Sequence, residues 1–472
     1  MSFPPTLGAG SSDHGSSLAT VRPTMASNST SGKVPSLSNI VCDDEFSDAR
    51  IFETNGDFRF LGEEALRLKL QVLQLMADHF PGAETEREPT IEKIGEGSYN
   101  FVVGVSLNPP KSHDDSVVSI GSKFSKLSKL FSRQPPRSFA LRLPLDIDGL
   151  LEGPGFGNIT RDVTTLQVVS SHVSIPVPKI IKYDLGSDNA LGRQYTLQTR
   201  LEGESLQVLW HVMTMPQKLS IMQQITKMTE KIARCTSPVA GYISERNRDC
   251  YSSIIHLDQF TVPTQAEAER RPQFPQPTIQ PAPKQTPHEF LIDQCKRWIA
   301  YEATFGHDHH SRSLWQQLMS LIDWLQERGW LGDRFHLAHG DLFPRNILAK
   351  ITSSTTVKIT GIIDWDLACF APKFVALRAP FWGWAHSERD EDDAFFDPHQ
   401  AEDKLLKKAF RTAASKEYVD LSLSVESVVA RKLFDIVTYG LMGHGQRDLA
   451  FELLQQWHML HPSDGVRNLD LY

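Results

Sequence analysis

The stretch His339-Gly340-Asp341-Leu342-Phe343-Pro344-Arg345-Asn346, followed by Ile362-Ile363-Asp364-Trp365-Asp366, decides how this chain is read. Between the two lie Ile347 to Ile351, a polar run from Thr352 to Thr356, and Val357 to Ile363. A β-type run, a turn and a second β-type run predict a hairpin. Folded about Thr355, that hairpin sets Asn346 and Asp364 opposite each other at its open end. An amide oxygen and a carboxylate so placed suit Mg²⁺, which takes oxygen ligands and leaves its other positions to water and phosphate oxygens. Asp341, five residues before Asn346, then sits beside the metal without having to bind it. A carboxylate there can accept a proton from a hydroxyl. His339 reads as a brace for the loop, and Arg345 as a phosphate or substrate contact or a surface ion pair.

The pattern H-G-D-x-x-x-x-N followed by I-D-W-D resembles the catalytic and metal loops of the aminoglycoside phosphotransferase and choline kinase group, including its fungal members. These are relatives of the protein kinases, whose loops read H-R-D-x-x-x-x-N and D-F-G, so Gly340 and Trp365 favour the small-molecule branch. The resemblance spans roughly residues 90 to 385. It implies an α+β, protein kinase-like bilobal fold: a small antiparallel-sheet N-lobe, a larger helical C-lobe, and ATP with Mg²⁺ in the cleft. It further implies transfer of the γ-phosphoryl group to a hydroxyl of a small molecule, with Asp341 catalytic and Asn346 and Asp364 on the metal. The alternative is a pseudokinase-like nucleotide-binding or scaffolding module without turnover.

The same resemblance points upstream. Gly95-Glu96-Gly97-Ser98-Tyr99-Asn100 joins two β-type runs, where backbone N–H groups can approach phosphates with no Cβ in the way. Gly95, Gly97, Ser98 and Asn100 are therefore nucleotide-binding candidates. Arg142, in Phe139 to Pro144, takes the place of the kinase lysine, and Asp162, on a helix over 160–172, that of the glutamate which positions it. Both depart from the kinase pattern, and an Arg–Asp pair can be bidentate. Gln198 to Leu201 falls where the chain crosses between lobes, which makes Gln198 a candidate for contacting adenine.

Around this frame the composition is that of a folded protein, with 40% apolar residues in 472. A net charge of −8 argues against a nucleic-acid surface held by counterion release. Five scattered cysteines without a CxxC pair suggest neither a disulfide framework nor a zinc cluster, and fit a cytoplasmic location. The most apolar region, Gly361 to Ala385, carries Asp364, Asp366, Lys373 and Arg378, so no transmembrane segment is expected. Residues 1–45 read as a serine-rich disordered tail, 60–201 as the N-lobe and 202–472 as the C-lobe. A helix over 62–79 shows Leu66, Leu70, Leu73 and Ala77 at helical spacing. Two insertions interrupt the plan. Residues 108–137 are basic, and within 123–137 Phe124, Leu127, Leu130 and Phe131 interleave with the charges. That stretch reads either as a plain loop or as an amphipathic helix suited to a protein partner or an anionic membrane surface. Residues 263–287 are proline-rich and read as a surface loop without helix. An acidic run over 388–393 reads as a solvated loop or as a contact for a cationic substrate.

Overall fold

A computed structural model describes residues 63–80, 89–96, 100–107, 138–144, 159–247, 252, 254–304, 309–385, 391–442 and 445–464. The serine-rich tail, the basic insertion with its 123–137 stretch, and Gly97 and Ser98 lie outside the described residues.

Among these residues the N-lobe carries a five-stranded antiparallel sheet in the order β1-β2-β3-β5-β4. Its strands are β1 (Thr90–Glu96), β2 (Asn100–Ser106), β3 (Ser138–Pro144), β4 (Ile180–Asp184) and β5 (Tyr195–Thr199). Alternation makes the strands: in β3, Phe139, Leu141 and Leu143 are buried on one face, while Ala140 and Arg142 occupy the other. The apolar face forms one core with Val103 and Val105 of β2 and with Val72, Leu75 and Met76 of α1 (Glu63–His79). The expected helix is thus present, but it buries a different face, and Leu66 and Leu70 are exposed. Helix α2 (Ile159–His172) places Leu166, Val168 and Val169 in the core of the C-lobe, although the sequence assigns it to the N-lobe.

The C-lobe is mainly helical. Helix α3 (Met215–Ala233) starts at a reciprocal cap, where Thr214 N donates to Gln217 Oε1 at 2.8 Å, with Pro216 in the first turn. The proline-rich segment departs from expectation by holding a short helix, α4 (Gln265–Arg270). The Thr264 hydroxyl caps it by accepting from Glu267 N at 3.2 Å. No proline falls within that helix, and beyond it the chain runs on as far as α5 (Pro287–Ala303). Helix α6 (His309–Glu327) buries Leu314, Leu318, Leu321 and Leu325, each contributing about 1.5–3 kcal/mol of transfer free energy. Helices α7 (Ala401–Ala413), α8 (Lys416–Leu423), α9 (Val425–Tyr439) and α10 (Gln446–Leu460) complete the lobe.

Two strand pairs position the chemistry. β6 (Phe335–Ala338) pairs with β9 (Cys369–Pro372) and runs straight into His339-Gly340-Asp341. The hairpin of β7 (Ile347–Ile351) and β8 (Val357–Ile362) follows, but it is not symmetric about Thr355. Ile351 faces Val357, the register shifts between Leu348 and Ala349, and Ile347 faces Ile362. Asn346 therefore stands opposite Ile363, whose N–H donates to Asn346 O at 3.0 Å. Asp364 lies one residue past the facing position, still at the open end. The architecture is the α+β, protein kinase-like bilobal fold that the motifs imply.

Candidate active site

His339 ties the two loops together. Its Nδ1 accepts the Asp341 N–H at 3.2 Å, and its Nε2 lies 3.0 Å from Ile363 O. The network assigns the neutral tautomer with the proton on Nε2, which alone satisfies both contacts. Burial lowers the imidazole pKa to about 4, keeping it neutral. Trp365 packs on this ring with centroids 4.4 Å apart and donates its own N–H to Ile362 O at 3.0 Å. Gly340 adopts φ 83°. A Cβ there would stand 2.5 Å from Leu367 O, so a side chain is excluded on both counts.

The turn Pro344–Asn346 folds the loop back on its own aspartate. Asn346 Nδ2 donates to Asp341 Oδ2 at 2.7 Å and to Asp341 O at 2.9 Å. Arg345 ion-pairs with Asp341 Oδ1. Both protons of the Asn346 amide are used, which orients its Oδ1 away from Asp341 and leaves an oxygen donor for a cation.

The second loop gathers acids. Asp364 is the described non-glycine residue with positive φ, at 65°, a conformation that costs an L-residue about 1–2 kcal/mol and is tolerated best by Asp and Asn. Its side chain is half exposed, and its carboxyl is raised to about 6 by partial desolvation against the surrounding loops and then by Asp366. Arg142 crosses from β3 to meet this loop. Its Nη1 and Nη2 donate to Asp366 Oδ1 at 3.1 Å and Oδ2 at 2.6 Å, and Nη2 lies 3.5 Å from Asp364 Oδ1. Burial alone would lower the Arg142 pKa, but Asp366 and Asp364 outweigh it and hold the guanidinium above its ordinary value.

The expected Arg142–Asp162 pair is therefore replaced. The fork is filled by Asp366, and no hydrogen bond or ion pair joins Asp162 to Arg142 among the described residues. The Asp162 carboxyl is raised to about 8, chiefly by burial and next by Asp366, so it is largely protonated at neutral pH. The motif pattern assigns no role to Asp366. The available signal was a second acid two residues after Asp364, within reach of whatever cation the opposing sheet supplies.

Gly95 follows the register shift in β1 with open space where a Cβ would stand. Asn100 opens β2 opposite Pro144 and is buried. Gln198 departs from its expected place at the crossing between lobes. It lies inside the sheet, opposite Ala140 on one side and Ile180 on the other, and its buried amide donates to Thr196 Oγ1 at 3.3 Å. The sheet also holds the next two residues, Thr199 N on Lys179 O and Arg200 N on Ser138 O, so the crossing begins at Leu201.

The residues present fit Mg²⁺. Asn346 and Asp364 offer two oxygen donors at one end of the hairpin. Asp364 and Asp366 set two carboxylates against the single guanidinium of Arg142, an excess of negative charge that a divalent cation relieves. Among the described residues no group of three or more His, Cys, Asp or Glu could hold a metal ion. The remaining positions would fall to water and phosphate oxygens.

Within the acidic run, Glu391 departs from the reading as a solvated loop. Glu391 is turned inward and 8% exposed, with Oε2 3.0 Å from Arg378 Nε and Oε1 2.7 Å from Arg431 Nε. No helix of the described residues is long and apolar enough to cross a membrane.

The chain is 23% identical over 371 residues to a subtelomeric hrmA-associated cluster protein of Aspergillus fumigatus, covering 67% of this chain and 71% of that protein. It is 32% identical over 105 residues to another such protein from a second strain, 22% of this chain and 20% of that one. Solved structures similar to it include the GDP complex of wild-type aminoglycoside 2'-phosphotransferase-IIIa, at 14% identity, 83% and 97% coverage and a TM-score of 0.38. Another is the apo form of a thermostable mutant of aminoglycoside phosphotransferase APH(4)-Ia, at 14% identity, 83% and 99% coverage and a TM-score of 0.39. Residues 133–403, more than half of the chain, match one family and include Asp341, Asn346 and Asp364: the chain belongs to the phosphotransferase enzyme family.

Proposed function

We propose that this chain transfers the γ-phosphoryl group of ATP to a hydroxyl group of a small molecule, with Mg²⁺ held by Asn346 and Asp364. The observation that carries the reading is that Asp341, Asn346 and Asp364 gather at one end of a single hairpin, with Asn346 hydrogen-bonded to Asp341. Asp341 takes the proton of the acceptor hydroxyl as its oxygen attacks. Arg345 holds that carboxylate in place, and His339 fixes the loop that carries it. Bound Mg²⁺ supplies neutralisation of the phosphate charge. Arg142 steadies the inner phosphates from an anchor on Asp366, while Gly95, Gly97, Ser98 and Asn100 belong to the covering loop. Phosphoryl transfer asks for positioning and charge neutralisation more than for covalent help. A cytoplasmic location is part of the same reading, and the free thiols of Cys235, Cys295 and Cys369 support it.

One observation favours the reading without turnover: Asp366 engages both Nη groups of Arg142. Titrating ATP by calorimetry, with and without Mg²⁺, tests the site. Mg²⁺ should tighten binding to the wild type by tenfold or more, about 1.4 kcal/mol, and leave Asp364→Asn unaffected. Equal Mg²⁺ dependence in the two proteins would remove the metal assignment.

A further inference from the structure

A cavity of about 140 Å³ opens in the C-lobe, and Gly340, Leu342 and Phe343 of the catalytic loop form part of its wall. Whatever fills it lies against the loop that carries Asp341, although the Asp341 side chain is not itself in the wall. Much of the remaining wall is aromatic and buried, including Phe381, Trp382 and Phe434.

Two arginines reach the cavity, and Arg378 has the more donors to spare. Arg431 is buried, with Nη1 donating to Phe374 O and Leu421 O, Nη2 to Ser422 O, and Nε against Glu391. Arg378 is 38% exposed and sets its Nε against Glu391. Among the described residues, neither of its Nη groups has a hydrogen-bond partner. Its guanidinium carbon lies 5.6 Å from the Phe343 ring centre and 5.0 Å from that of Phe381. The two rings meet edge to face at 6.3 Å. Stacking of this kind holds the planar fork in one orientation, which suits a carboxylate.

The charges point the same way. Glu391 is shared between two guanidiniums, leaving one positive charge uncompensated. Asp435, also in the wall, has its carboxyl raised to about 7 by burial, so near neutrality it offsets that charge only in part. A polycationic amino sugar would meet like charge here, and Glu391 is already committed. The balance is positive by less than one full charge, which favours an anion over a cation.

We propose that Arg378 anchors the carboxylate of the acceptor, and that the substrate is a compact hydroxy acid with an aromatic or apolar body. This rests on the phosphotransfer reading for the fate of the hydroxyl, whereas the binding itself can be measured apart from it.

Three matched phenols test the idea without nucleotide: 4-hydroxyphenylacetate, uncharged tyrosol and cationic tyramine, each read by the shift it causes in melting temperature. The carboxylate should give the largest shift. Arg378→Gln should erase its advantage over tyrosol, and Arg378→Lys, which keeps the charge beside Glu391, should keep part of it. Retained Mg²⁺-dependent ATP binding by both variants shows that they fold. A larger shift with tyramine, no shift with any of the three, or an anion preference that survives Arg378→Gln would overturn the proposal. Binding of the carboxylate with no ADP formed from ATP would instead count against the phosphotransfer reading and leave this one standing.

Discussion

Arg142 grips both carboxylate oxygens of Asp366, at 3.1 and 2.6 Å, and so joins the N-lobe sheet to the second loop of the C-lobe. Replacing Asp366 with Asn leaves a largely buried guanidinium with a weaker partner. The expected cost is about 1–3 kcal/mol of stability, together with a rise in KM for ATP, because Arg142 loses its anchor. Thermal unfolding and ATP titration of Asp366→Asn read both effects. A variant matching the wild type in both would show the pair to be incidental.

Asp162 separates the observed arrangement from the one the motifs suggest. Its folded-state carboxyl is raised from 3.8 to about 8. Between those values the native state holds a proton that the unfolded chain has released, so this residue's contribution to stability is full below about pH 4 and is lost as pH rises toward 8. Asp162→Asn removes the titration. Measured without nucleotide or metal, the variant should gain on the wild type as pH rises through that window and level off above it. An ionised Asp162 paired with Arg142 would produce the opposite, a variant that falls behind at high pH.

His339 carries the opposite sign. Its pKa falls from 6.5 to about 4 on folding, so its contribution is full above pH 6.5 and is lost as pH falls toward 4. His339→Gln, which does not titrate, should narrow its stability gap to the wild type over that interval. Because the ring braces the Asp341 loop, the variant should lose kcat, by about 10-fold or more if the carboxylate drifts by an ångström, with KM for ATP little changed. A KM effect alone would place His339 at the nucleotide.

Much of the scaffold was legible in the sequence because it follows from local pattern. Alternating apolar residues drew Ser138–Pro144, and the polar run at 352–356 drew the hairpin beside it. What depends on partners distant in the chain was not legible. Helix α1 has leucines on more than one face, and the sheet selected Val72, Leu75 and Met76. The register shift between Leu348 and Ala349 moves Asp364 by one position and leaves no mark in composition. Arg142 had three acids within electrostatic range, Asp366, Asp364 and Asp162, and geometry chose the first. The loop side chains Asp341, Arg345 and Asn346 were readable because they meet within one turn of chain, as the 2.7 Å contact between Asn346 and Asp341 illustrates.

The most direct test of the central claim is mass spectrometry of a metabolite extract incubated with ATP, Mg²⁺ and either the wild type or Asp341→Asn. A phosphorylated product is expected with the wild type, and a loss of about 10²–10⁴-fold in its rate of formation with Asp341→Asn, the range for removing a general base. Product formed equally by both proteins, or ATP bound with no product in any extract, would contradict it.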